Sequence, residues 1–153
     1  MSLQFLMDKH AIEQVYIRYC EIIDAKSFDD LHEVFTEDTI GDYGLPGGVQ
    51  NITIGLDPLV VSMHANLGVD SNCGATHHNV GNFRVEVNGD TAKAKVHYYA
   101  EHLGAHDFPG ELYSMWGQYT DDLVRTPVGW RVKNRLYKCY LSQGPVVTSP
   151  RQK

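Results

Sequence analysis

Apolar residues recur at three- and four-residue steps near the start of the chain: Ile12, Val15, Tyr16, Tyr19, Ile22 and Ile23. That spacing lines one face of a helix and predicts one over residues 9–24. Ser27 is placed to cap a second, short helix carrying Phe28, Leu31, Val34 and Phe35, with Asp30 at the capping-box position. "TEDTIGDYGLPGGVQNITIG" reads as two short strands around the turn residues Gly44 and Pro46-Gly47-Gly48. A third helix is expected over 56–68, with Asp57 as N-cap, Pro58 at the first helical position and Gly68 at the end.

Beyond residue 74 the period changes from helical to alternating. "FRVEVNGDTAKAKVHYYAEH" is two strands joined by Asn88-Gly89, a strong hairpin signal. "ELYSMWGQYTDDLVRT" and "GWRVKNRLYKCYLSQ" add two long strands through Thr126-Pro127-Val128-Gly129. Helices followed by a meander predict an α+β domain, with a curved, mostly antiparallel sheet folded around the helices. On the hairpin's second strand Ala92, Ala94, Val96, Tyr98, Ala100 and His102 share the apolar face and should point inward. The adjacent pair His77-His78 is harder to orient. Strict alternation groups His77 with the inward Phe83, Val85 and Val87. A bulge at Gly81 would instead turn His78 and Val80 inward. Alternation by itself leaves both readings open.

The length, 153 residues, suits one domain spanning 1–153. A net charge of -6 gives no electrostatic basis for a nucleic-acid partner and disfavours anionic membranes. No run approaches the roughly 20 apolar residues of a membrane span. The opening "MSLQFLMDKH" lacks the basic-then-apolar order of a secretory signal. Cys20, Cys73 and Cys139 are scattered without a C-x-x-C, which points to a reducing cytoplasm. None of the histidines form an H-x-x-x-H or H-E-x-x-H pair on a helix, so no metal site is expected.

Three stretches, "AIEQVYIRYCEIIDAKSFDDLHEVFTED", "THHNVGNFRVEVNGDTAKA" and "GQYTDDLVRTPVGWRVKNR", together resemble the SnoaL-like branch of the nuclear transport factor 2 superfamily over roughly residues 8–138. The resemblance implies a cone-shaped α+β barrel. Within that branch the chain is similar to scytalone dehydratase, bile acid 7α-dehydratase and hexachlorocyclohexane dehydrochlorinase. Such enzymes use an Asp-His pair in a cone-shaped pocket, with neither metal nor organic cofactor. The matching aspartate is Asp24 in "IIDAK", and the histidine four residues before Asn82 is His78. The resemblance therefore selects His78 as the inward histidine. It also implies a pocket role for Arg135, for Tyr19, which stands five residues before the aspartate, and for His102 as a second histidine. The dehydrochlorinase carries lysine where Tyr19 stands, so dehalogenation is not implied. The helical wheel alone sets Asp24 about 100° round from Ile23, at the edge of the apolar stripe, where a solvated carboxylate is the ordinary outcome.

These residue types suit elimination of water beside a carbonyl or an activated ring. Histidine takes and returns protons near neutrality, and a carboxylate on its other nitrogen fixes the tautomer. Tyr19 or Tyr43 could donate to a developing enolate oxygen, Arg135 could hold an anionic group or a carbonyl, and His102 could be a second acid. A Cys73-His nucleophile has no other support. The expected function is a cofactor-independent lyase or isomerase acting on a small hydrophobic cyclic substrate. Polyketide cyclisation or ketosteroid-type isomerisation is the alternative reaction. The alternative of another class is a non-catalytic binding or assembly domain, like the small subunit of ring-hydroxylating dioxygenases. The open sheet face, with Trp116 and Leu112 on one strand parity, is expected to make a homo-oligomer, dimer or trimer.

Overall fold

The computed structural model describes residues 2–44 and 50–152. Helix α1 spans Leu3–Ala25, beginning six residues before the start predicted at residue 9. Ser2 caps it, its Oγ accepting from the Phe5 N–H at 3.2 Å. The first turn leaves Leu3, Leu6 and Met7 exposed, so no buried stripe marks it in the sequence. A 3-10 helix, Phe28–Glu33, follows. Ser27 makes no side-chain cap there, and Phe35 opens the first strand rather than closing the helix.

The strands are β1 (Phe35–Asp42), β2 (Ile52–Ile54), β3 (Cys73–Asn88), β4 (Thr91–Gly104), β5 (Leu112–Thr126) and β6 (Gly129–Gln143). They form one curved sheet in the order β2-β1-β6-β5-β4-β3, with β2 and β3 as edges, so it stays open. Only β1 against β6 is parallel. Helix α2 (Leu56–Leu67) connects β2 to β3. Its N-cap is Gly55 rather than Asp57, which moves Pro58 two residues into the first turn. Glycine fits because the chain leaves β2 at φ 94°. Of the expected turn at 44–48, Pro46, Gly47 and Gly48 lie outside the described residues.

The core lies between α1 and the inner face of the sheet. Ile12, Tyr16, Ile22 and Ile23 are fully buried there, opposite Ala94, Val96 and Ala100. The whole inward row of β4 expected from alternation, Ala92 to His102, is buried. Two bulges decide the rest of the inner face. In β3 the register shifts between Gly81 and Arg84, and Asn82 takes the left-handed conformation at φ 52°. The bulge thus centres one residue past the expected Gly81, because asparagine also tolerates positive φ. In β6 the register shifts opposite Asp122/Leu123, where Lys133 is the extra residue. Faces switch there, so Arg135 turns inward and Leu136 is left half exposed. Among the described residues, no helix is long and apolar enough to cross a membrane.

Candidate functional site

The chain reverses at Lys26, the C-cap of α1, in the left-handed conformation (φ 57°). The Lys26 ammonium donates to the carbonyls of Leu67 and Cys73, the latter at 3.0 Å. This pins the end of α1 beside α2 and the start of β3. Asp24, two residues earlier, is thereby set against β3. Its carboxylate accepts from the His78 N–H at 3.0 Å, from Thr76 Oγ1 at 2.8 Å and from His78 Nδ1 at 2.7 Å. The Asp24 side chain is only one-quarter exposed and that of His78 is 7% exposed. Burial raises the Asp24 pKa, but the bonds from His78 and Thr76 outweigh it and hold the carboxyl below its ordinary value. An ionised Asp24 accepts only, so His78 Nδ1 carries a proton, and in the neutral ring Nε2 is the nitrogen with the free lone pair. His77, one residue away, is exposed on the other face.

His78 lines a cavity of about 200 Å³ between α2, the inner sheet face and the C-terminal segment. Tyr19 and Tyr43 line it too, with their hydroxyls 3.4 Å apart. His102 lines it beside His78, the rings edge-to-face at 5.4 Å. His102 Nδ1 lies 3.0 Å from the Tyr113 carbonyl, which can only accept, so this nitrogen is protonated. Burial, with the neighbouring His78, lowers the His102 pKa to about 4. His102 is therefore neutral near pH 7 and offers the cavity an acceptor; of the two roles read from the sequence, pocket residue and second acid, this state suits the first.

Arg135 also departs from expectation. Its side chain is fully buried, as is that of its ion-pair partner Asp121, 2.8 Å away. It is not among the cavity-lining residues and sits behind them, 4.4 Å from the Tyr19 ring centre and 4.2 Å from that of Tyr119. The inward turn produced by the Lys133 bulge carries it into the core. No substrate anion can reach it there directly.

Several lining residues were not legible as site residues. Tyr98, Tyr119 and Tyr137 come from three adjacent strands and stack at 4.8 and 5.1 Å. Parity on β4 does mark Tyr98, but Tyr137 is inward only after the bulge. Asn66 and Ser62 from α2 form a polar wall, the Asn66 amide donating to the Ser62 carbonyl at 2.8 Å. The C-terminal segment supplies Val146 and Thr148, while Val147 is fully buried. Asn72 holds that segment, its N–H bonding the Ser149 carbonyl at 2.9 Å and its side chain Pro150 at 3.2 Å. This stretch has no periodicity, so no sequence signal marks it. Among the described residues, no three His, Cys, Asp or Glu side chains gather as a metal cradle.

The family model for a SnoaL-like domain matches residues 4–136. An uncharacterised protein of Mycobacterium tuberculosis, Rv2910c, is 34% identical over 142 residues, covering 92% of this chain and 91% of that protein. Among solved structures, a protein from Kribbella flavida is 26% identical, with a TM-score of 0.78 over 90% of this chain and 93% of that one. A candidate scytalone dehydratase from Novosphingobium aromaticivorans superposes with a TM-score of 0.83 at 22% identity, covering 99% and 96% of the two chains. A hexachlorocyclohexane dehydrochlorinase from Novosphingobium barchaimii gives 0.75 at 14% identity, covering 99% of each. At such identities the last two are likenesses of fold.

Proposed function

Because the chain belongs to the SnoaL-like domain family, we propose that it is a cofactor-independent lyase or isomerase of the dehydratase type, with Asp24 and His78 as its proton-transfer pair. The observation that carries this reading is the 2.7 Å bond from His78 Nδ1 to Asp24, with the histidine on the cavity wall and the carboxylate behind it. His78 Nε2 takes a carbon-bound proton next to a carbonyl. Asp24 stabilises the imidazolium that results, and the same nitrogen returns the proton to the departing hydroxyl. Tyr19 and Tyr43 donate to the oxygen on which charge develops. If no hydroxyl leaves, the same shuttle performs an isomerisation.

The cavity narrows the substrate class. At about 200 Å³ it is smaller than the roughly 300–1,000 Å³ of typical ligand sites. Its lining is dominated by tyrosine rings. With Arg135 walled off, no cationic side chain lines it among the described residues. This favours an uncharged substrate of one or two rings over a steroid or a carboxylate. The three unpaired cysteines suit a reducing cytoplasm.

The test is to screen ring-bearing hydroxy-carbonyl compounds with the wild type and then to compare His78→Ala and Asp24→Asn. The pair predicts a loss of turnover of about 10²-fold or more for His78→Ala, with little change in melting temperature because the ring borders open space. Asp24→Asn acts similarly by removing the anion that sets the tautomer. No turnover by wild type, together with variants that melt several degrees lower, would move the assignment to a binding domain.

A further inference from the structure

We propose that the buried Arg135–Asp121 ion pair is an oriented dipole that makes the Tyr19–Tyr43 hydroxyl pair a binding point for an oxyanion, Arg135 being a positioning residue that never touches the substrate. The inference rests on the proton-transfer reading above and names how its developing charge is held.

The orientation follows from the partners of each charge. Arg135 spends Nε and Nη2 on Asp121, at 3.1 and 2.8 Å. Its Nη1 faces the Tyr43 hydroxyl at 3.5 Å. On the other side Asp121 accepts from the Tyr16 hydroxyl at 2.8 Å. Tyr19, Tyr43 and Tyr119 line the cavity, whereas Tyr16 does not. The positive end of the pair therefore faces the cavity tyrosines and the negative end faces the core. A guanidinium has no acceptor, so Tyr43 meets it only with a lone pair. The Tyr43 proton is left for Tyr19 or for the cavity. The guanidinium also lies against the faces of Tyr19 and Tyr119, both buried. Burial pushes these two phenols up, and Arg135 pulls against it. Fixed dipoles in such a water-poor setting act strongly on charge that forms nearby and need no reorganisation.

The experiment is a spectroscopic titration of 4-nitrophenol bound to the intact protein, a probe whose ionised form mimics an enolate oxygen. In wild type the bound probe should ionise about one pH unit or more below the free probe, a tenfold preference for phenolate. Tyr43→Phe should lose most of that shift. The double variant Arg135→Met with Asp121→Asn should lose it too, while keeping an acceptor for Tyr16. Arg135→Lys should retain much of it. His78→Ala should leave it in place, because His78 belongs to the proton pair. The proposal is overturned if the probe does not bind, if the shift is the same in wild type and the folded double variant, or if His78→Ala alone abolishes it. Should the double variant not fold, an undiminished shift in Tyr43→Phe overturns it. A wild type that turns over no compound but shifts the probe would instead refute the catalytic reading while leaving the dipole standing.

Discussion

The buried histidine His102 gives the protein a defined acid sensitivity. It is 3% exposed, donates from Nδ1 to the Tyr113 carbonyl and stands beside a second histidine, so burial and that neighbour lower its pKa from 6.5 to about 4. Between those values the unfolded chain binds a proton that the folded protein refuses. Its contribution to stability is complete above pH 6.5 and declines as the pH falls toward 4. Integrating the two titrations gives a loss on the order of 1 kcal/mol at pH 5.5 and about 2 kcal/mol at pH 4.5, relative to neutral pH. Asp24, held below its ordinary value by His78, acts in a lower window, and the difference between wild type and a His102 variant over pH 5 to 7 separates this histidine from the others. The assay is urea unfolding at half-unit pH steps for wild type and His102→Asn. Asparagine keeps a donor near the Nδ1 position and cannot ionise. Stability should fall more steeply from pH 7 to 5 in wild type than in the variant, by about the loss worked out above. A flat wild type, or a variant with the wild-type slope, would refute the assignment of a buried neutral His102.

Arg135→Met alone should cost about 3–5 kcal/mol in urea unfolding at pH 7, because Asp121 would be left buried without its counter-ion. Adding Asp121→Asn should recover most of that loss. A small effect of the single variant would mean that water reaches the pair. On the outer sheet face, Leu141 pairs in register with Trp116, and Leu112 lies on the same parity of β5. Leu112, Tyr140 and Leu141 are each more than half exposed. We propose this patch as the contact of a homo-oligomer. Sedimentation should then show a wild-type dimer or trimer converted to monomer by Leu141→Glu, and a monomeric wild type would refute it.

Much of the fold was legible because its signals are local. The three-and-four spacing from Ile12 to Ile23 and the alternation of Ala92 to His102 each report the geometry of a single element. Asn88-Gly89 reports a tight turn in the same way. The Asp24–His78 pair was reached through family resemblance. The wheel alone set Asp24 at the edge of the apolar stripe, and its partner lies 54 residues away.

Tertiary structure decided what depends on how strands register with one another. Asn82 rather than Gly81 takes the positive φ of the β3 bulge, and the Lys133 bulge in β6 reverses the faces that follow it. A single extra residue turns every later side chain over, and only the partner strand shows where it falls. For that reason Arg135, expected in the pocket, instead closes an ion pair behind it, while Tyr137 enters. His102 was expected in the pocket as a substrate-binding residue, with an acid role left open by its residue type. Its burial beside the Tyr113 carbonyl, which no local pattern encodes, makes it an acceptor.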